Sequence, residues 1–301
     1  MSAVLVEDGP DKGAVWHFGE PTKEQRALEA GTAWADLSHL NIVAVSGADR
    51  LQWLHDLTTQ FVSDLQPGVW MPSLILDAQG HVEFQFNLVD DGTTTFLVLD
   101  PGYVEKLVEY LTKMKFMLRV DVRDASAEFV VLRAPGAADS IGGPFALVPR
   151  DEVDQMKETF GGVATQVGTW ALDAERVAAH RPRIGFETDH KSIPNELGVL
   201  NKSVHMNKGC YRGQETVAKI FNLGNPPRRL VLLHLDGSQV VMPAPGTPVM
   251  NGENQVGFLG TVARHYELGP IALAVVKRNT PVDAQLTVEG VAASQQVIVP
   301  A

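Results

Sequence analysis

HVEFQFNLVDDGTTTFLVLD, residues 81–100, is the stretch that decides the fold class. Val82, Phe84, Phe86 and Leu88 alternate with His81, Glu83, Gln85 and Asn87, the period of a half-buried strand. Asp90-Asp91-Gly92 supplies a turn and TTTFLVLD runs back as a second strand, so the stretch reads as a hairpin. Upstream, NIVAVS (41–46) is a further strand. Gly47-Ala48-Asp49 then breaks into a helix with Leu51, Leu54, Leu57 and Phe61 at helical spacing, and Pro67-Gly68 marks a turn. Downstream, Pro101-Gly102 opens an amphipathic helix to about Leu118, striped by Val104, Leu107, Leu111 and Met114. Helices layered on antiparallel strands place the chain in the α+β class.

Further out, Pro21-Thr22 with Gln25 offers a capping box for a helix through Ala33. AEFVVLR (127–133) reads as a strand and 134–145, rich in Ala, Gly and Pro, as loop. ALVPR (146–150) reads as a short strand, Glu152 to Phe160 as a short helix, and ALDAERVAAHR (171–181) as another helix. The composition changes after Asn222, and Gly224-Asn225-Pro226-Pro227 marks a domain boundary. Beyond it lie only strand-like runs: LVLLHLD, GFLGTVARH, IALAVV, QLTVEGV and QQVIV. Gly and Pro separate them, which predicts a small antiparallel barrel or sandwich. The expected division is thus 1–225, α+β and itself in two discontinuous parts, and 226–301, the barrel.

The 301 residues, 45% apolar and 20% charged, suffice for two or more buried cores. A net charge of −11 argues against a non-specific binder of nucleic acid or of an anionic membrane. One cysteine excludes an intramolecular disulfide and an all-cysteine metal centre, and fits a reducing compartment. The N-terminus lacks the features of a signal or transit peptide, and no apolar run of membrane-spanning length occurs; the expectation is a cytoplasmic protein. Rossmann, P-loop, H-E-x-x-H and G-x-S-x-G patterns are missing, and the nine histidines fall singly, so no metal site is expected.

One segment is dense in chemistry: Lys208-Gly209-Cys210-Tyr211-Arg212-Gly213-Gln214-Glu215. Lys208 and Arg212 stand two residues either side of the only cysteine, a spacing that favours a thiolate. The alternative is a small buried apolar cysteine in a glycine-kinked turn. Glu215 and Lys219 would pair if the segment that follows is helical.

The octapeptide resembles the signature of the YgfZ family, folate-binding proteins similar to the glycine cleavage T-protein. Other segments fall in that family's order: Val45-Ser46-Gly47-x-Asp49-Arg50, Trp53-Leu54-His55, Thr59-Gln60, Leu65-x-Pro67-Gly68, Asp77-x-x-Gly80, Ile193-Pro194-x-Glu196, Gly257-x-x-Gly260 and Ile271-Ala272-Leu273-Ala274. The resemblance implies ferredoxin-like α+β units around a central cavity, a C-terminal barrel, a tetrahydrofolate or a derivative as ligand, and iron–sulfur proteins or their assembly machinery as partners. Cys210 and Lys208 become the candidate reactive residues. The candidate cofactor-binding residues are Arg181, Arg183, Glu187, Asp189, Glu196, Tyr211, Gln214, Glu215 and Arg229.

Two departures from the T-protein pattern bear on function. In Val82-Glu83-Phe84-Gln85-Phe86 the only acid, Glu83, alternates away from the apolar face, so aminomethyl chemistry is not expected. In Arg181-Pro182-Arg183-Ile184-Gly185, Arg183 stands where the T-protein's pterin-binding glutamate aligns, and a guanidinium only donates. Glu187, Asp189 or Glu196 would have to substitute, while Arg181 and Arg183 could face a folate's glutamate tail or another anion. Against these roles, Glu187-Thr188-Asp189 reads equally as a solvated turn and Arg228-Arg229 as a surface pair. Three functions follow: a folate-dependent factor for iron–sulfur proteins without classical turnover, a one-carbon transferase, or a module that has lost folate.

Overall fold

The computed structural model describes residues 2–136, 144–238 and 242–300. In chain order the first elements are β1 (Val4–Leu5), β2 (Val15–His17), α1 (Pro21–Glu29), β3 (Ala33–Asp36), β4 (Asn41–Ser46), α2 (Arg50–Leu57), β5 (Met71–Leu76), β6 (Val82–Asp90), β7 (Thr94–Leu99) and α3 (Val104–Met114). They continue with β8 (Asp121–Asp124), β9 (Phe129–Arg133), β10 (Phe145–Pro149), α4 (Val153–Gly161), β11 (Thr165–Gln166) and α5 (Thr169–Ala178). A short 3₁₀ turn (Pro194–Glu196), α6 (Leu200–Ser203) and α7 (Gln214–Leu223) precede β12 (Arg228–Leu235), β13 (Pro248–Asn251), β14 (Asn254–His265), β15 (Gly269–Lys277), β16 (Leu286–Val288) and β17 (Val291–Val297). The chain forms two compact units, both discontinuous: Met1–Ile75 with Phe84–Ala171 and Asn207–Tyr211, and Leu76–Glu83 with Leu172–Met206 and Arg212–Ala301.

The first unit is built on a five-stranded sheet, ordered β5-β6-β7-β4-β8. The hairpin of residues 81–100 lies in it, with Phe86 opposite Leu99 and Asp90 opposite Thr95. Phe84, Phe86 and Leu88 are buried and Glu83 is exposed, as the alternation requires. They pack with Val43, Val45, Trp53, Leu54, Ile75, Leu97, Leu107 and Leu111 in one apolar core. Arg50, at the start of α2, closes the hairpin by two hydrogen bonds to the buried Asp90 carboxylate, at 2.9 and 2.8 Å.

A second sheet in this unit is ordered β10-β9-β3-β11. It corrects one expectation. Helix α1 stops at Glu29, and Ala33–Asp36 is a buried strand instead of the helix end. Gly31 and Thr32 break the helix, and Ala33 and Trp34 gain ladder partners in Thr165 and Gln166. Nor does a capping box form, since Glu20 is the N-cap and Pro21 fills the first turn. Helix α3 ends at Met114, short of Leu118: Phe116 adopts a positive φ of 44° and Met117 is 98% exposed. Most of the 134–145 stretch read as loop lies outside the described residues.

The second unit carries the barrel. Its six strands close in the order β12-β15-β14-β13-β16-β17, so no strand edge is left open. Val231, Leu233 and Leu235 on β12 face Val249, Leu259, Ala272, Ala274, Val276 and Leu286 in its core. The architecture is α+β with a C-terminal closed barrel.

Candidate functional site

Within the first unit the motif segment 207–211 is anchored by its lysine. Lys208 is 5% exposed. Its Nζ donates to the carbonyls of His55, Thr58 (2.6 Å) and Gln60 (3.0 Å) and lies 5.2 Å from the centroid of the Tyr211 ring. These carbonyls lie at the C-terminal end of α2 and just past it, where a helix leaves acceptors unpaired and its dipole favours a cation. Burial pushes the Lys208 amine down to about 8, against a raising contribution from the charge of Asp56. Three acceptors suit the three N–H groups of an ammonium, so the group is charged at neutral pH. Lys208 is therefore a cap on α2 that pins the loop. Tyr211 is buried, and that burial raises its phenol to about 12, which keeps it neutral.

Cys210, held between these two anchors, is exposed. This overturns the buried-cysteine alternative. Neither flanking cation is spare. Lys208 is committed to the α2 carbonyls, and Arg212 pairs with Glu83 at 3.2 Å.

The second unit holds the continuation of the motif. Gly213 has a φ of +81°, a left-handed conformation that a side chain resists. A Cβ there would fall 2.6 Å from the Asp77 carbonyl oxygen and 2.8 Å from the Gly80 Cα. The motif thus needs a glycine where the 77–80 turn clasps the start of α7. Asp77 shapes that turn: its Oδ1 accepts from the backbone N–H groups of Gln79 and His81, both at 2.8 Å, and its Oδ2 meets His81 Nδ1 at 2.9 Å. Gln214 is half-buried and Glu215 exposed, both in the first turn of α7. The segment is helical, yet among the described residues no ion pair joins Glu215 to Lys219.

The acidic candidates of this unit, Glu187, Asp189 and Glu196, are committed to other residues of the same unit. Arg228 grips Asp189 through Nη1 (2.6 Å) and Nη2 (3.0 Å), and Glu196 through Nε (3.1 Å) and Nη2 (2.9 Å). Burial alone would raise the Asp189 carboxyl; the hydrogen bonds and charge of Arg228 override it and hold it far below the usual carboxylate range. Burial likewise opposes the Arg228 charge, and the two carboxylates more than restore it. Glu187 is fully buried. Its carboxylate accepts from the Thr261 N–H (2.5 Å), the Arg183 N–H (2.7 Å) and Arg176 Nη1 (3.3 Å). Glu187-Thr188-Asp189 is therefore not a solvated turn but a tie between loop 181–189 and β14. Arg181 pairs with Glu175 at 3.0 Å, and Arg183 lies 4.8 Å from the Phe186 ring centroid. Nor is Arg228-Arg229 a surface pair, because Arg229 is completely buried. A cleft of about 280 Å³ lies beside this loop, between Phe186 and Asp189 on one side and Gly246 and Phe258 on the other.

Sequence reasoning missed the Lys208 acceptors and the central role of Arg228. The acceptors are backbone carbonyls about 150 positions away and carry no side-chain signal. The only hint for Arg228 was an arginine pair opening an apolar strand. Among the described residues no group of three His, Cys, Asp or Glu side chains is placed to hold a metal, and no helix is long and apolar enough to cross a membrane.

Residues 228–299 match the family described as the CAF17 C-terminal β-barrel domain. A putative chloroplastic transferase of Arabidopsis thaliana is 24% identical over 86% of this chain and 68% of its own length. The tRNA-modifying protein YgfZ of Colwellia psychrerythraea is 24% identical, covering 77% of this chain and 80% of its own. A mitochondrial iron–sulfur cluster assembly factor of Mycosarcoma maydis, an IBA57 homolog, is 23% identical, covering 72% and 61%. The crystal structure of the glycine cleavage system aminomethyltransferase T from Bartonella henselae superposes with a TM-score of 0.81, covering 98% of this chain and 92% of its own, at 17% identity.

Proposed function

We propose that this chain, whose C-terminal barrel matches the CAF17 barrel family and which is similar to a YgfZ protein and an IBA57 homolog, is a YgfZ-family factor supporting iron–sulfur proteins, acting through the thiol of Cys210. The observation that carries this reading is the build of the motif loop. An exposed cysteine sits between a buried lysine cap and a buried tyrosine. Anchors of this kind position a side chain for a partner without packing it away. One thiolate cannot hold a cluster. It can serve as a transient ligand for a cluster that a partner carries, or exchange with a partner's disulfide. Lys208 has a positioning role in this account and Cys210 the chemical one. A reducing compartment, the cytoplasm on the sequence reading, suits a lone exposed thiol.

The resemblance implies tetrahydrofolate as a ligand, and the acidic residues Glu187, Asp189 and Glu196 do not fit that task. A pterin's amino-pyrimidine edge needs a carboxylate with free acceptor sites. Asp189 and Glu196 are chelated by Arg228, and Glu187 by two backbone N–H groups and Arg176. A folate bound here would be gripped by other groups, with Arg183 beside Phe186 the nearest remaining candidate on this loop. The one-carbon transferase reading rests on the T-protein fold and the transferase among the relatives. It lacks its strand carboxylate: Glu83 is exposed and bonded to Arg212.

The test is complementation. A host deleted for its own family member is given this chain, and the activity of an iron–sulfur dehydratase is measured in extracts. Recovery is expected. No recovery at matched expression would overturn the proposal. Tetrahydrofolate-dependent turnover of a methylated amine by the purified protein would favour the transferase reading instead.

A further inference from the structure

The barrel contains a buried charge that the foregoing account does not use. Arg229 shares the inward face of β12 with Val231, Leu233 and Leu235, so its side chain enters the barrel at its first rung. It is completely buried, and a guanidinium stays protonated at any relevant pH. Nη2 donates to the Thr280 carbonyl and to Gln295 Oε1, both at 2.9 Å. Gln295 in turn donates to the Pro281 carbonyl at 2.7 Å, closing the turn over the guanidinium. Arg229 Nε and Nη1 have no hydrogen-bond partner, nor does the buried hydroxyl of Thr280. Burying a charge without a counter-charge is among the costliest arrangements in a protein.

Thr280 also lines a cleft of about 690 Å³, together with Pro227, Lys277, Arg278 and Asn279. Lys277 donates to the Gln255 carbonyl at 3.0 Å. Among the described residues no carboxylate pairs with Arg229, Lys277 or Arg278, and Asp283, close by in sequence, is in no ion pair. Two cations, Lys277 and Arg278, therefore line one concave surface of a chain whose net charge is −11, and a third, Arg229, is buried behind it and joined to it through the Thr280 carbonyl. A buried, uncompensated guanidinium bonded to the Thr280 carbonyl adds positive potential to the surface that Thr280 lines.

We propose that the 277–282 cleft is a binding site for a small oxyanion, a phosphate or carboxylate group, with Arg278 and Lys277 at its rim, the unpartnered Thr280 hydroxyl turning outward as a donor when the anion binds, and Arg229 as the charge buried behind the Thr280 turn. Nothing in the Cys210 account requires this site, and it stands or falls independently.

The experiment titrates the full-length protein with inorganic phosphate at constant ionic strength, following the arginine Nε–H signals by NMR and the melting temperature. A parallel titration with glutarate separates a site for free phosphate from one for the carboxylates of an organic ligand. Saturable binding is expected, with a selective shift of the Arg229 signal and a rise in melting temperature. Arg278→Ala should weaken it about fivefold, and Thr280→Val about threefold. Arg229→Met should abolish it. Should that variant not fold, the Arg278 and Thr280 variants decide alone. Lys23→Ala, on the other unit, should leave it unchanged. An adventitious ion only, seen as a linear response that Arg278→Ala and Thr280→Val do not alter, would overturn the proposal. So would a complete lack of response to both anions.

Discussion

Replacing Lys208 by methionine isolates the ammonium, since the stem keeps its length and apolar character. Three carbonyl oxygens, on His55, Thr58 and Gln60, then lose their donor at a site only 5% exposed. Each unsatisfied acceptor costs ~2 kcal/mol in a buried setting, about 6 kcal/mol for the three. The substitution also removes the cost of burying the charge. A pKa lowered from 10.5 to about 8 sets that cost at roughly 3 kcal/mol. The net loss is therefore about 3 kcal/mol, which for a chain of this size is a fall in melting temperature of about 6 °C. Urea unfolding followed by the fluorescence of the five tryptophans measures it, as a lower midpoint. Lys208→Arg should recover only part of the loss, because a planar fork does not aim three N–H groups at a tripod. A loss below ~1 kcal/mol for the methionine variant would refute the cap and, with it, the claim that Lys208 positions the cysteine loop.

Three further outcomes follow from the same geometry. Gly213→Ala should cost ~2 kcal/mol or more, because its Cβ meets the 77–80 turn at positive φ, whereas Gly209→Ala, with nothing within 4 Å of its Cβ, should stay within ~0.5 kcal/mol; equal midpoints in urea would count against the clasp. The folded Asp189 carboxyl titrates below its ordinary value of 3.8, so its ion pair contributes fully above that pH and is lost as pH falls below it. Acid unfolding should accordingly be shallower in Asp189→Asn, and an unchanged acid profile would remove Arg228–Asp189 from the stability account. Glu187→Ala strands the Thr261 and Arg183 N–H groups and Arg176, and should cost ~3 kcal/mol by thermal melting; a neutral effect would mean that this carboxylate is free for a ligand after all.

Local patterns predicted the elements whose partners are close in sequence. The 81–100 hairpin was legible because its alternation and its Asp-Asp-Gly turn lie in one window, and NIVAVS because a short apolar run is bounded by breakers. The barrel followed from strand runs spaced by Gly and Pro. Ala33–Asp36 was not legible: Ala and Trp continue a helical pattern, and it is the pairing with Thr165 and Gln166 on one side and with Leu132 and Arg133 on the other that makes them a strand. Met71–Leu76 hid for a related reason, since four consecutive buried residues carry no alternation. At the site, the octapeptide drew attention to Cys210 through its composition. Its exposure, the tripod under Lys208 and the Arg228 network depend on contacts 32 to 153 residues apart, and no spacing in the sequence encodes those.

The most direct test of the central claim pairs two measurements on one protein, Cys210→Ser: melting temperature in vitro and iron–sulfur enzyme activity in the complemented host. An exposed thiol with no packing role predicts a melting temperature within about 1 °C of the parent and loss of the restored enzyme activity. Normal enzyme activity in the Cys210→Ser strain, at parental stability, would contradict the thiol mechanism outright.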